Sequence, residues 1–101
     1  MAEGGRREEV DAKIARWERE LERFRVALAN ASEAVNTQHH PTFVELCRKK
    51  EVAKSRWEAI RGVYRPDAQA VRRCEDALAA MDAAWQQAQA MLTDVLAMQS
   101  A

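Results

Sequence analysis

Three stretches of the chain repeat apolar residues at alternating spacings of three and four positions. The first stretch consists of Val10, Ile14, Trp17, Leu21, Phe24, Leu28, Ala31 and Val35. The second is shorter and less regular, and it consists of Phe43, Leu46, Lys50, Ala53, Trp57, Ile60 and Tyr64. The third consists of Val71, Cys74, Leu78, Met81, Trp85, Ala88, Leu92 and Val95. A repeat averaging 3.5 residues marks a narrow apolar seam on an α-helix and is typical of coiled-coil packing. The pattern therefore predicts three helices that pack along their seams.

The first connection is predicted from residues that end and start helices. Asn36 is a possible left-handed helix terminator, and Pro41 disfavours a helix that continues through the preceding residue. Thr42 and Glu45 then form a capping-box pattern for the second helix. The predicted helices span about residues 7–35, 42–62 and 66–98.

The second connection is predicted around Gly62, which weakens the end of a helix, and Pro66, which suits the first turn of the next one. Short connections join antiparallel neighbours. The fold class that follows is all-α, an antiparallel up-down-up three-helix bundle with heptad packing. A chain of 101 residues supports one domain, so we expect a single helical domain over residues 1–101.

Charge is balanced over the whole chain but distributed unevenly. The first 73 residues contain all sixteen Lys and Arg with twelve acidic residues, and the rest contain four acidic residues and no basic one. In the predicted bundle Arg56 lies level with Glu75, and Lys49 lies level with Asp82, at positions that flank the seam. We therefore expect these charges to pair between the second and third helices.

Each predicted helix contributes one tryptophan to its seam: Trp17, Trp57 and Trp85. They suit either a stacking platform for a ligand or large side chains that fill the centre of the bundle. We expect the second role, in which each indole N–H finds a hydrogen-bond acceptor.

Cysteines and histidines are few. Cys47 and Cys74 lie about 15 Å apart along the predicted bundle axis, too far for a disulfide, and we expect free, buried thiols. His39 and His40 are neighbours in the predicted first connection, without a carboxylate or thiol beside them. They indicate polar loop residues rather than a metal site.

Motifs for catalysis are missing from the sequence. It contains no Ser/His/Asp set, phosphate-binding loop, nucleotide fingerprint or di-iron Glu-x-x-His pair. We therefore expect a protein that is not an enzyme and needs no cofactor, metal or small-molecule substrate.

The third helix supplies the preferred functional hypothesis. Its apolar face widens towards the end, which predicts an exposed patch that docks a partner helix or a second copy of the chain. The predicted partner-binding residues are Met91, Leu92, Val95, Leu96 and Met98. Several alanines on the same helix allow another helix to approach closely. The chain is thus predicted to be a helical protein–protein interaction or structural module.

A basic cluster on the second helix supplies the alternative hypothesis, an adaptor that binds nucleic acid or an anionic membrane surface. The candidate polyanion-binding residues are Arg48, Lys49, Lys54, Arg56 and Arg61. Helical geometry spreads these cations around the helix, and acidic residues interrupt them, so we prefer the first hypothesis.

The start of the sequence lacks the apolar region of a signal peptide, and no apolar run approaches the length of a membrane span. We therefore expect a cytoplasmic protein. Periodicity also leaves open an extended dimer, and a chain that becomes helical only within a larger assembly.

Overall fold

The computed structural model describes the backbone of residues 2–100 and the side chains of residues 6–97. Over that range the chain forms three helices, α1 (Ala2–Ala29), α2 (Glu33–Ile60) and α3 (Ala68–Ser100), and no strand. The all-α class predicted from the seams is confirmed. None of the helices in the described range is long and apolar enough to cross a lipid bilayer.

The first connection differs from the prediction. The chain turns at residues 30–32, not at 36–41, and Pro41 lies inside α2. Ser32 is the N-cap, since its extended backbone starts the helix and its hydroxyl oxygen accepts a hydrogen bond from the Val35 amide at 3.3 Å. The predicted capping box at Thr42 was therefore wrong, and so were the predicted boundaries at residues 35 and 42.

Asn36 does not end α1 as predicted but fastens the turn from within α2. Its side-chain Nδ2 donates a hydrogen bond of 2.9 Å to the carbonyl oxygen of Leu28. The same carbonyl oxygen also accepts a hydrogen bond of 3.2 Å from the Ala31 amide, so it has two donors at the end of α1. The hydrogen bonds of Ser32 and Asn36 therefore both stabilise the short connection at residues 30–32.

The second connection lies close to its predicted position. Gly62 adopts a positive φ of 83°, a conformation that glycine tolerates without strain. Asp67 caps α3, because its Oδ2 accepts hydrogen bonds from the amides of Gln69 and Ala70 at 3.1 and 3.2 Å. Helix α3 thus begins at Ala68, two residues after Pro66.

The core is built from all three helices, with α1 and α3 supplying most of it. The buried residues are Val10, Ile14, Trp17, Leu21, Phe24, Ala27, Leu28, Leu46, Ala53, Cys74, Leu78, Met81, Trp85, Ala88, Leu92 and Val95. Nearly all lie at the predicted seam positions. Helix α2 fully buries only Leu46 and Ala53, while Trp57 is partly buried against the same core.

Two residues predicted to lie on helix seams lie outside the helices. Ala31 falls in the first turn of the fold, and Tyr64 falls in the second connection, where it is 88 % exposed. Phe43, by contrast, packs its ring edge-on against Phe24 with 5.5 Å between centroids. Contacts between α1 and α2 therefore extend to the end of the molecule that contains the first turn.

Among the side chains at residues 6–97, ion pairs join α3 to α1 and none joins α3 to α2. Arg6 lies 3.2 Å from Glu75, and Lys13 lies 2.9 Å from Asp82, with the same separation of 69 residues in each pair. The predicted pairing of Glu75 and Asp82 with cations of α2 was wrong. In a three-helix bundle each helix lies beside two others, and here Glu75 and Asp82 pair with cations of α1.

Candidate interaction surface

The structure divides the predicted partner-binding residues between the core and the surface. Leu92 and Val95 are buried, at 4 % and 0 % exposure, while Met91 and Leu96 are half-buried. The side chain of Met98 lies outside the described residues. The expectation that this whole face stays exposed was wrong, because the end of α1 lies beside the end of α3 and covers it.

Met91 lies at a groove between α2 and α3. The groove has a volume of about 440 Å³. The buried side chains of Leu46 and Ala88 contribute apolar surface to it, Ala84 adds a small side chain, and Thr42 lies on the α2 side. Glu45 and Lys49 of α2 also line the groove, so its surface is partly apolar and partly charged.

Leu96 lies on the opposite side of α3, at a second groove shared with α1. This groove has a volume of about 390 Å³, and Val26, Ala27 and Asn30 of α1 also line it. Val26 is 43 % exposed there. Glu22 and Arg23 of α1 line the same groove, so its surface is partly apolar and partly charged. The last turns of α3 thus lie between two grooves, although their central residues are buried.

Both grooves lie at the border of a part of the molecule that we call the charge-poor half, defined as residues 26–44 and 83–97. Glu45 and Lys49, outside this half, also line the α2–α3 groove, and Glu22 and Arg23 also line the α1–α3 groove. The only Asp, Glu, Lys or Arg residues of the charge-poor half are Glu33 and Asp94. All sixteen basic residues and the other fourteen acidic ones lie elsewhere in the sequence. The bond from Asn36 to Leu28 and the two grooves bring these segments of the three helices together.

Sequence reasoning missed this surface although the charges are visible in the sequence. The two segments are separated by some forty residues, and only the fold places them at one end. Apart from Glu33 and Asp94, their exposed side chains are mostly neutral amides, hydroxyls and small apolar groups, among them Thr37, Gln38, Val44, Gln86, Gln87, Gln89, Ala90 and Thr93. His40 is exposed on α2 in the same region, and its ring lies 6.3 Å from that of Phe43.

The candidate polyanion-binding residues do not form a free cationic surface. Arg48 and Lys49 pair with Glu45 on their own helix. Lys54 donates a hydrogen bond of 2.9 Å to Glu18 of α1. Among the five candidates only Arg56 has no ion pair with any residue that the structure describes.

Arg61, the fifth candidate, is held by Asp11. Its guanidinium donates to both carboxylate oxygens at 2.7 to 3.0 Å, and the indole Nε1 of Trp57 donates to Oδ1 at 2.7 Å. These hydrogen bonds, Arg61's foremost, lower the pKa of Asp11 below its ordinary value of 3.8. The site is a fixed link between α1 and α2.

The tryptophans have structural positions. Trp17 and Trp85 are buried at 1 % and 5 % exposure, and Trp57 is half-buried with its indole N–H bonded to Asp11. Lys13 lies over the ring of Trp17, 5.9 Å from its centroid. The interpretation of these residues as core side chains agrees with the burial.

Cys47 and Cys74 are free thiols, as predicted, but only Cys74 is buried, and Cys47 is partly buried. Burial is the main cause that raises the pKa of each thiol above its ordinary value, which keeps both sulfurs protonated and poorly nucleophilic.

Within the described part of the chain, no three His, Cys, Asp or Glu side chains are grouped so that they could hold a metal ion. His39 and His40 lie in α2, not in a connection.

No family model, curated protein or solved structure matches this chain.

The charge-poor half combines three properties on one surface. It borders two partly apolar grooves, its exposed side chains are almost all neutral, and it contains no Lys or Arg. A surface of this composition suits contact with another protein, because the central parts of protein interfaces are depleted in Lys, Glu and Asp. It does not suit contact with phosphates, which Lys and Arg neutralise.

Proposed function

We propose that this chain is a non-enzymatic helical interaction module whose docking face is the charge-poor half, around the end of α3. The observation that carries the proposal is the confinement of all sixteen Lys and Arg to the rest of the chain. Charged residues make up 32 % of the whole sequence, so the neutral surface is a local property and not a general one.

The proposed binding mode is a partner helix seated in the groove between α2 and α3. Ala84 and Ala88 let a helix backbone approach closely, within the 8–10 Å that packed helices keep between axes. Met91 at the same groove has an unbranched, flexible side chain that adapts to the partner's surface. A helix in this position would extend the bundle to four helices.

We also infer that the bundle is antiparallel and up-down-up, with heptad packing. Glu18 pairs with Lys54, whereas Asp11, earlier in α1, pairs with Arg61, later in α2. The constant separation of 69 residues between α1 and α3 partners supports a parallel course for those two helices. The buried residues of α1 and α3 recur at spacings of three and four, which supports the heptad interpretation.

A single helical domain in the cytoplasm completes the proposal. One core cluster includes residues of all three helices, which supports a single domain. The free thiols of Cys47 and Cys74 suit a reducing compartment.

Site-specific photo-crosslinking tests the proposed face. A photoreactive amino acid replaces Gln87, which is exposed at the α2–α3 groove, and in a control chain it replaces Ser55, which is exposed on α2 in the charged part. The proposal expects discrete protein adducts from position 87, either with a second copy or with another protein, and none from position 55. Adducts mainly from position 55, or none from either position, would contradict it.

The polyanion-binding alternative is supported by the number of cations on α2, but Arg48, Lys49, Lys54 and Arg61 are already paired with carboxylates. Its test is the binding of a nucleic acid duplex or anionic vesicles at two salt concentrations. Polyanion binding weakens steeply with salt, whereas contact through the charge-poor half does not.

A further inference from the structure

We propose that the partner of the charge-poor half is a second copy of this chain, which joins its own charge-poor half in a two-fold symmetric dimer. This inference rests on the function proposed above and names the occupant of that surface. It is argued from charge, from side-chain chemistry and from area.

Charge is the first argument. In a two-fold contact the same patch lies on both copies, so side chains near the axis face their own equivalents. A Lys or Glu at such a position would face the same charge, which is unfavourable. The only Asp, Glu, Lys or Arg residues in segments 26–44 and 83–97 are Glu33 and Asp94. Two copies that meet there therefore do so with little charge repulsion.

Side-chain chemistry is the second argument. Exposed Gln86, Gln87 and Gln89 each carry a donor and an acceptor, so a glutamine can hydrogen-bond to a glutamine of an identical surface. Val26 and Val44, 43 % and 49 % exposed, add apolar contact area in the same half. The surface therefore complements itself.

A strongly charged partner fits less well. The charge-poor half has no Lys or Arg to pair with acidic groups and only two acids to pair with basic ones. Charges brought against it would lose hydration without gaining a counter-charge. Neutral surface on the partner avoids this cost, and the chain itself provides it.

Area is the third argument. A standard interface takes about 800 Å² from each partner. The accessible surface of the chain is 6865 Å², and the charge-poor half contributes residues from all three helices of a molecule 50 Å long. A standard interface would thus use about 12 % of the surface of one copy. The charge-poor half comprises 34 of the 101 residues.

Sedimentation equilibrium of the full chain tests the inference with a matched pair of variants. Val44→Glu places a charge in the charge-poor half, and Val63→Glu places the same charge in the second connection at nearly the same exposure, 49 % against 48 %. We expect a wild-type dimer whose Kd rises at least about tenfold in Val44→Glu, a change of ~1.4 kcal/mol, and stays unchanged in Val63→Glu. The wild-type Kd should change little between low and high salt.

Folding of each variant is checked by circular dichroism. If Val44→Glu loses helicity, Gln87→Glu replaces it, since Gln87 is exposed on α3. A wild-type chain that stays monomeric up to about 1 mM, or equal weakening by Val44→Glu and Val63→Glu, would overturn the inference.

The two proposals fail differently. A monomeric chain that still crosslinks to another protein from position 87 overturns the dimer and leaves the interaction function standing. A monomeric chain without adducts at position 87 overturns both.

Discussion

The indole Nε1 of Trp57 donates a hydrogen bond to Oδ1 of Asp11 across 2.7 Å, which joins the end of α2 to the start of α1. Arg61 donates to the same carboxylate. This end of the molecule is therefore held by directional, charge-assisted bonds. The opposite end is held mainly by apolar packing and by the bond from Asn36 to Leu28.

Asp11→Asn should destabilise the fold, because the amide keeps the shape of the side chain but loses its charge. We expect a loss of about 1 kcal/mol in the free energy of unfolding, since the carboxylate is partly exposed and solvent weakens its bonds. Urea denaturation measures it. Glu22→Gln is the matched control, because Glu22 pairs only along its own helix with Arg25 and should matter less. Equal losses in both variants would contradict the proposed link.

Acidification should remove the contribution of Asp11. Its pKa is lowered in the folded state, chiefly by hydrogen bonds from Arg61, so the stabilisation is complete above the ordinary value of 3.8 and is lost as pH falls through the lowered value. The difference in unfolding free energy between wild type and Asp11→Asn should therefore be constant from neutral pH down to about 4 and shrink below it. Urea denaturation at several pH values measures this difference. A difference that grows on acidification would contradict the assignment.

Truncation of Val95 should mainly lower stability, whereas truncation of its neighbour Leu96 should mainly weaken association. Val95 is fully buried, so Val95→Ala should cost about 2 kcal/mol of stability and leave a cavity. Leu96 is half-buried at the α1–α3 groove, so Leu96→Ala should cost less stability and weaken association more. Thermal melts and sedimentation measure the two effects. Loss of association in Val95→Ala with unchanged melting would reverse our assignment.

Pro41→Ala should stabilise the protein. Pro41 is exposed and lies about two turns inside α2, where it cannot donate the hydrogen bond that a helix expects at that position. Replacement by alanine should raise the free energy of unfolding by about 1–3 kcal/mol and raise the melting temperature. Thr42→Ala, one residue further along, is the control and should change stability little. If Pro41→Ala were less stable than wild type, the proline ring would contribute more to stability than the missing hydrogen bond costs, which would contradict the prediction.

The sequence predicted the cores of α1 and α3 well, because long helices with one buried face repeat their apolar residues regularly. It misplaced the first turn because Asn36, Pro41 and the capping-box pattern at Thr42 predicted a connection there. The residue that caps α2 is Ser32. The first nine residues of α2, about two and a half turns, were thereby assigned to the first helix and to the connection.

The site was harder to predict. Leu92 and Val95 belong to the same apolar face as Leu96, and periodicity alone does not show which of them the end of α1 covers. The charge-poor half was visible as two segments nearly without charge, but only the pairing of helix ends makes them one surface.

The most direct test of the account is an NMR dilution series that follows backbone amide shifts of the full chain. We predict concentration-dependent shifts at residues 26–44 and 83–97, and constant shifts at residues 48–61 in the charged part of α2. Shift changes concentrated at residues 48–61, or no change at any amide up to about 1 mM, would contradict the claim that the chain associates through its charge-poor half.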